Sequence, residues 1–280
     1  MQTVTTPAEV RAFTAGLSGK RLALVPTMGF LHAGHQALIA EGARRADAVA
    51  VSIFVNPTQF GPTEDLARYP KDLDGDLRKC AEAGAVLVYA PQVATVYPPG
   101  FQTSVDVERV SKGLDGASRP GHFRGVATVV TKLLALFRPH VALFGEKDYQ
   151  QLQVIGALAR DLELGVEIVG VPTVRDEDGL AMSSRNTYLS PQERAQAPML
   201  SGGLMAAEAL VQAGELDVGQ IKKIIRHALR EGPWKEDFVE VVDAVTLEPL
   251  AQLTPGRPAR ALAAAFLGKT RLIDNVALEP

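Results

Sequence analysis

The sequence predicts an α/β protein, a Rossmann-like doubly wound parallel sheet followed by a smaller C-terminal α+β domain. Three observations predict it. Five apolar runs of strand length recur at 22–25, 48–55, 86–90, 141–144 and 166–171, nearly continuous rather than alternating, as strands buried on both faces are. Helical periodicity separates most of them, at 35–46, 73–83, 123–137 and 149–162, which is the rhythm of βαβ crossovers. After residue 171 that rhythm stops, and helical patterns at 192–213 and 218–230 precede strand-like runs at 239–242, 261–266 and 270–273. The reading is two domains, 1–173 and 174–280.

Taken in order, Thr6-Pro7-Ala8-Glu9 offers an N-cap, a proline for the first helical position and a capping-box acid, so a short helix is expected before the first strand. Gly16 and Gly19 end it. The strand at 22–25 runs into Pro26-Thr-Met28-Gly29-Phe-Leu-His32-Ala-Gly34-His35, where a helix begins. With 5 His and 25 Gly in the chain, His-x-Gly-His is expected by chance roughly 0.01 times, so this junction outranks an ordinary short motif. A strand-to-helix junction offers free N–H groups and a positive dipole end to a phosphate, and two imidazoles add donors beside them.

Four further clusters fall where strands end. The second strand runs into Asn56-Pro-Thr-Gln59, two amides that can each donate and accept, or simply a proline turn. The fourth runs into Gly145-Glu-Lys147-Asp148, where a glycine admits a phosphate and Lys147 supplies compact charge that Asp148 orients; the plainer alternative is a solvated helix start. After the fifth comes Met182-Ser183-Ser184-Arg185, hydroxyls beside a fork donor suited to a triphosphate, although alone it is an ordinary loop. Ser118-Arg-Pro-Gly-His122-Phe-Arg124-Gly125 reads equally as an anion clamp or a charged connection, and the Pro/Gly-rich stretch 91–125 is long enough to act as a lid. Asp74 and Asp76 resemble the start of a calcium loop without its closing glutamate. They would at most assist a Mg²⁺ arriving with a nucleotide, and a solvated helix turn explains them as well.

Composition narrows the classes. A chain of 280 residues, 46% hydrophobic, can bury a full core, and a net charge of -3 argues against nonspecific nucleic-acid binding. Cys80 is the one cysteine, so an intramolecular disulfide framework is excluded, and its amphipathic helix suggests a buried inert thiol. No stretch approaches about 18 uninterrupted apolar residues, and the polar first twenty lack a secretory core, so the expectation is a cytoplasmic protein with no membrane partner. Trp234, His140 and His227 read as structural.

With these pieces assembled, the chain resembles the pantothenate synthetase (pantoate:β-alanine ligase) family of the nucleotidylyltransferase superfamily. The motifs are Pro26 to His35, Ser52-Ile-Phe-Val-Asn-Pro-x-Gln-Phe60, Ala117-Ser-Arg-Pro-Gly-His-Phe-Arg-Gly-Val126, Phe144-Gly-Glu-Lys-Asp-x-Gln-Gln151, Gly170-Val-Pro172 and Leu180 to Asn186. Thr58 departs from the family, which often has Met there, and Gly75 interrupts an acidic turn that is richer in Asp in some relatives. The resemblance implies ATP-dependent condensation of pantoate with β-alanine through a pantoyl adenylate, in pantothenate and coenzyme A biosynthesis. It further implies an ATP site of Met28, Gly29, His32, Gly34, His35, Gly145, Lys147, Asp148, Val174, Met182, Ser183, Ser184 and Arg185, of which His32, His35, Lys147, Ser183, Ser184 and Arg185 serve catalysis. His35 is the candidate proton donor. Gln59, Gln151 and Asn56 would hold pantoate and β-alanine. Mg²⁺ accompanies ATP, with Asp76 the candidate ligand; no organic prosthetic group is implied, and a homodimer is.

Three other classes compete. A nucleotidyltransferase acting on a phosphorylated cofactor precursor shares His-x-Gly-His, but the amides at 56 and 59 suit a small carboxylic acid better. A tRNA-charging enzyme lacks an evident basic region. A nonenzymatic nucleotide sensor would have no need of Lys147, Arg185 and both histidines together.

Overall fold

Alternation along the strands of the N-terminal chain sends side chains to both faces of a sheet, and the computed structural model, which describes residues 1–280, shows both faces covered. The elements run β1 (Gln2–Val4), α1 (Pro7–Ala15), β2 (Leu22–Thr27), α2 (Ala33–Arg45), β3 (Ala48–Ile53), α3 (Leu73–Glu82), β4 (Leu87–Tyr89), α4 (Val93–Val96), α5 (Leu114–Ser118), α6 (His122–Phe137), β5 (Val141–Gly145), α7 (Tyr149–Asp161) and β6 (Glu167–Val171). The six strands are all parallel, in the order β1-β4-β3-β2-β5-β6. Leu22, Leu24, Ala50, Leu87 and Phe144 join one core with α1, α6 and α7 (Val10, Val130, Phe137, Ile155). Their neighbours Ala23, Val25, Val49, Val51, Val88 and Leu143 join a second core with α2 and α3 (Leu38, Ile39, Cys80). Burial pushes the Cys80 thiol up to about 12, so it is a packing group and not a nucleophile.

Strand order reverses at β2, which is flanked by β3 and β5. In open α/β sheets the crevice outside the carboxyl ends at such a reversal is where ligands bind. The ends of β2, β3 and β5 carry the residues at 28–35, 56–59 and 145.

The second unit contains α8 (Pro191–Gln196), α9 (Pro198–Gln212), α10 (Val218–Arg230), β7 (Trp234–Asp243), β8 (Ala259–Leu267) and β9 (Thr270–Leu278). The strands form an antiparallel sheet, β7-β8-β9. Val218, Ile221, Ile225 and Leu229 repeat every three to four residues and bury the inner stripe of α10 with α9 and the sheet. By contact, unit 1 is residues 1–111, 119–146 and 151–172, and unit 2 is 112–118, 147–150 and 173–280. Two short segments that precede residue 173 therefore belong with the C-terminal sheet.

Two expectations are corrected. The first strand is β1, ahead of the short helix; at three residues, two of them exposed and polar, this edge strand is below the length that periodicity can register. The helical run 192–213 is two helices, broken at Ala197 because Pro198 starts a new one. Within the stretch 91–125 expected as a lid, Thr128 Oγ1 of α6 accepts from the Val105 N–H at 3.0 Å, and Arg124 donates to Ser104 Oγ at 2.7 Å. No helix is long and apolar enough to cross a membrane.

Candidate active site

At the end of β2 the chain turns sharply through Gly29, at φ +85°, and Phe30, at φ +52°. Asp76, on the first turn of α3 and 1% exposed, holds this turn: its two oxygens accept the N–H groups of Phe30 at 2.8 Å and Leu31 at 2.7 Å. Lys79 adds a bond to the Leu31 carbonyl at 2.7 Å. Burial pushes the Asp76 carboxyl up, against the pull of the two N–H groups and Lys79. Each oxygen thus holds one backbone N–H, and the burial of Asp76 corrects the expectation of a solvated turn at this residue.

The turn delivers two half-buried histidines to the start of α2. His32 is the N-cap, and its Nδ1 accepts from the Gly34 N–H at 3.2 Å, while His35 Nδ1 accepts from the His32 N–H at 3.2 Å. The pair forms a capping box made of imidazoles, with ring centroids 4.2 Å apart. An acceptor Nδ1 puts the hydrogen of a neutral imidazole on Nε2, so both rings carry an Nε2 donor at a positive helix end.

After β3, Asn56 caps a short 3₁₀ turn over Pro57–Gln59. Asn56 is 1% exposed, and its amide is fully committed to Gly125, Gln59, Thr58 and Tyr97. It is corrected from a substrate contact to a support for Gln59. Gln59 donates from Nε2 to Met28 Sδ at 3.0 Å, tying this turn to the one after β2. Its backbone oxygen accepts from His122 Nδ1 at 2.9 Å, and since a guanidinium can only donate, His122 Nε2 accepts from Arg119 at 3.0 Å. Arg119 pairs with Glu64 at 2.8 Å. The sequence left this cluster open between an anion clamp and a charged connection; Glu64 pairs with the Arg119 guanidinium, and buried His122 joins Arg119 to the Gln59 carbonyl. At Gly145, a Cβ would meet nothing within 4 Å, so the end of β5 leaves room beside the backbone.

Unit 2 holds the remaining expected residues. Lys147 Nζ lies 3.8 Å from Asp148 Oδ2, and its carbonyl accepts from Asn275 Nδ2 at 2.9 Å. Tyr149 donates to the Ala244 carbonyl at 2.9 Å beneath the Arg260 guanidinium, which lies 4.0 Å from its ring centroid. Gln150 accepts from the Asp115 N–H at 3.0 Å. Val174 accepts from the Met182 N–H at 3.0 Å, closing a tight loop whose base is clasped by Arg175 on Asp274 at 2.6 Å. Ser183 caps the following 3₁₀ turn by accepting the Arg185 N–H, and Ser184 is buried in it.

A family model described as Pantoate-beta-alanine ligase matches residues 2–277. This chain belongs to that family. Among pantoate-beta-alanine ligases and their relatives, the pantothenate synthetase of Myxococcus xanthus strain DK1622 is 64% identical over 276 residues, 98% of this chain and 94% of the relative. The pantothenate synthetase structure from Thermus thermophilus matches with a TM-score of 0.95 at 48% identity, covering 100% of both chains. That of the Francisella tularensis pantoate-beta-alanine ligase, described as complexed with beta-gamma ATP and beta-alanine, matches with a TM-score of 0.82 at 31% identity, over 99% of this chain and 97% of that one.

In this ligase-family chain, unit 1 brings Met28, Gly29, His32, Gly34, His35, Gln59 and Gly145 to the carboxyl ends of its strands, and Gln151 is half-buried on α7. Tyr97, Asp76, His122 and Asn275 were missed as supports. Their partners lie 41, 45, 63 and 128 residues away in the chain, beyond any local pattern.

Proposed function

We propose that this chain is a ligase that activates pantoate with ATP and joins it to β-alanine. A pantoate carboxylate oxygen attacks the α-phosphorus in line, the bond from that phosphorus to the β-phosphate oxygen breaks, and pyrophosphate leaves. The β-alanine nitrogen, in its amine form, then attacks the acyl carbon of the pantoyl adenylate; AMP departs and the nitrogen gives up a proton as the amide forms. Attack by an anion on an anion calls for charge stabilisation and alignment more than for a protein nucleophile.

The observation that carries this reading is the reciprocal histidine cap at the end of β2, which uses Nδ1 of His32 and His35 as acceptors and makes Nε2 the donor side; in this reading both rings serve the ATP phosphates. Met28, Gly29, Gly34, Gly145, Asp148, Val174 and Met182 complete the ATP site in this reading. Lys147 and Arg185 offset the charge that grows on the leaving pyrophosphate, with the Ser183 and Ser184 hydroxyls beside them. Gln59 and Gln151 hold the acid. Mg²⁺ enters in this reading with the substrate, as MgATP. A homodimer and a cytoplasmic setting complete the proposal, as family membership suggests.

The test is isotope exchange between pyrophosphate and ATP. We expect exchange that requires pantoate and proceeds without β-alanine. Exchange independent of pantoate, or none with both present, would overturn the assignment.

A further inference from the structure

The hydrogen-bond directions around Asn56 are forced, and they reach Gln59. The Gly125 carbonyl can only accept, so the Asn56 atom 3.1 Å from it is Nδ2, whose second hydrogen goes to Gln59 Oε1, also at 3.1 Å. Oδ1 then faces the other way and is filled by the Tyr97 hydroxyl at 2.8 Å and the Thr58 hydroxyl at 2.9 Å. With its oxygen taken up by Asn56, Gln59 turns Nε2 toward Met28 and the turn that follows β2.

Tyr97 is itself held on several sides. Its ring lies 6.1 Å from that of Phe54 and 5.1 Å, edge-on, from that of Phe101, and Lys132 Nζ sits 4.5 Å from the Phe101 centroid. Burial pushes the Tyr97 phenol up, so its hydrogen stays in place to be donated. Thr58 adds a second donor to the same oxygen.

We infer that Tyr97 and Thr58 are positioning residues that lock the Asn56 amide in one sense and so make Gln59 a hydrogen-bond donor to the pantoate carboxylate. This rests on the reading of Gln59 as an acid-binding residue. A carboxylate is acceptor-only, and a Gln59 amide free to flip would present its own oxygen to it half the time.

The experiment titrates pantoate and ATP separately in pyrophosphate–ATP exchange for the wild type, Thr58→Val, Thr58→Ser, Tyr97→Phe and the Thr58→Val/Tyr97→Phe pair. Loss of both donors should raise the half-saturating pantoate concentration about tenfold, and loss of either about threefold, with the ATP value within about twofold. Thr58→Ser should restore what Thr58→Val loses. Gln59→Glu, the same shape with no donor at that position, should lower exchange about a hundredfold or more. A double variant whose pantoate value stays within about twofold of wild type would overturn the inference, and so would pantoate and ATP values that rise together. Because Thr58 is exposed, Thr58→Val alone decides the matter if the double variant does not fold. Failure of the functional reading appears separately, as absent pantoate-dependent exchange in the wild type.

Discussion

At Gly29 the backbone takes a conformation that a side chain resists, and a Cβ there would sit 2.9 Å from Asp76 Oδ2 and 3.1 Å from Ile53. Gly29→Ala should cost about 1–3 kcal/mol and disturb the carboxylate that fixes the turn; thermal unfolding and pyrophosphate exchange should fall together. The histidines allow a cleaner separation. Asparagine at 35 keeps an acceptor for the His32 N–H but cannot reach as far as Nε2, so His35→Asn should melt near wild type and lose about a hundredfold or more in exchange. His35→Ala should lose the same activity and also about 1 kcal/mol of stability with the cap. Asp243 carries a pH dependence. It accepts from the Thr246 and Val245 N–H groups and from Arg257, and its carboxyl is held down to about 2 from an ordinary 3.8. A depressed folded value stabilises the fold above the unfolded value, so about 2 kcal/mol is present above about pH 4 and is lost as pH falls toward 2. Asp243→Asn should remove that increment at pH 7, read by urea unfolding, and flatten the acid limb. At this scale the strand-to-helix junction that His32 and His35 cap was legible because its residues are local in sequence. Asp76 was not: its position suggested a helix start, and only burial reveals that both oxygens face backbone 45 residues away or more.

Helix α6 shows how an element places a side chain it does not carry. It packs against the Pro57–Gln59 turn at Gly125, where a Cβ would lie 2.7 Å from the Gln59 nitrogen and closer still to the Thr58 carbonyl. Gly125→Ala must push the turn away; we expect the half-saturating pantoate concentration to rise about tenfold or more while the circular dichroism spectrum holds. The apolar period of α6 made the helix easy to read, with Val126, Val130, Leu133, Leu134 and Phe137 all buried. Its close approach to the turn was not readable, since a glycine inside a helix looks like a weakness until the neighbour is seen. Strand β7 illustrates the opposite error. It begins at Trp234, five residues before the apolar run that announced it, because Lys235, Glu236 and Asp237 interrupt the pattern; a bulge between Glu236 and Phe238 accommodates Asp237, which pairs with Arg271 at 2.7 Å.

For the molecule as a whole, the sequence made a change of rhythm near residue 173 visible but could not show that unit 2 is assembled from three pieces. Segments 112–118 and 147–150 are too short to carry a period of their own. What binds them is long-range: Asp115 to Arg271 at 2.6 Å, and the Lys147 carbonyl to Asn275. A fragment spanning 173–280 should therefore be less stable than its apolar core suggests, with Arg271 deprived of one carboxylate and Asn275 of its acceptor. Poor amide dispersion in its NMR spectrum, restored when 112–118 and 147–150 are supplied by the full chain, would show it; a well-dispersed, cooperatively melting fragment would count against this reading. The same threading sets an order of events on the ribosome. Lys147 is translated 128 residues ahead of Asn275, which at 5–20 residues per second is a wait of roughly 6 to 25 s. For that interval the Lys147 carbonyl has no Asn275 amide to accept from, so this contact inside unit 2 closes only once the last strand is made.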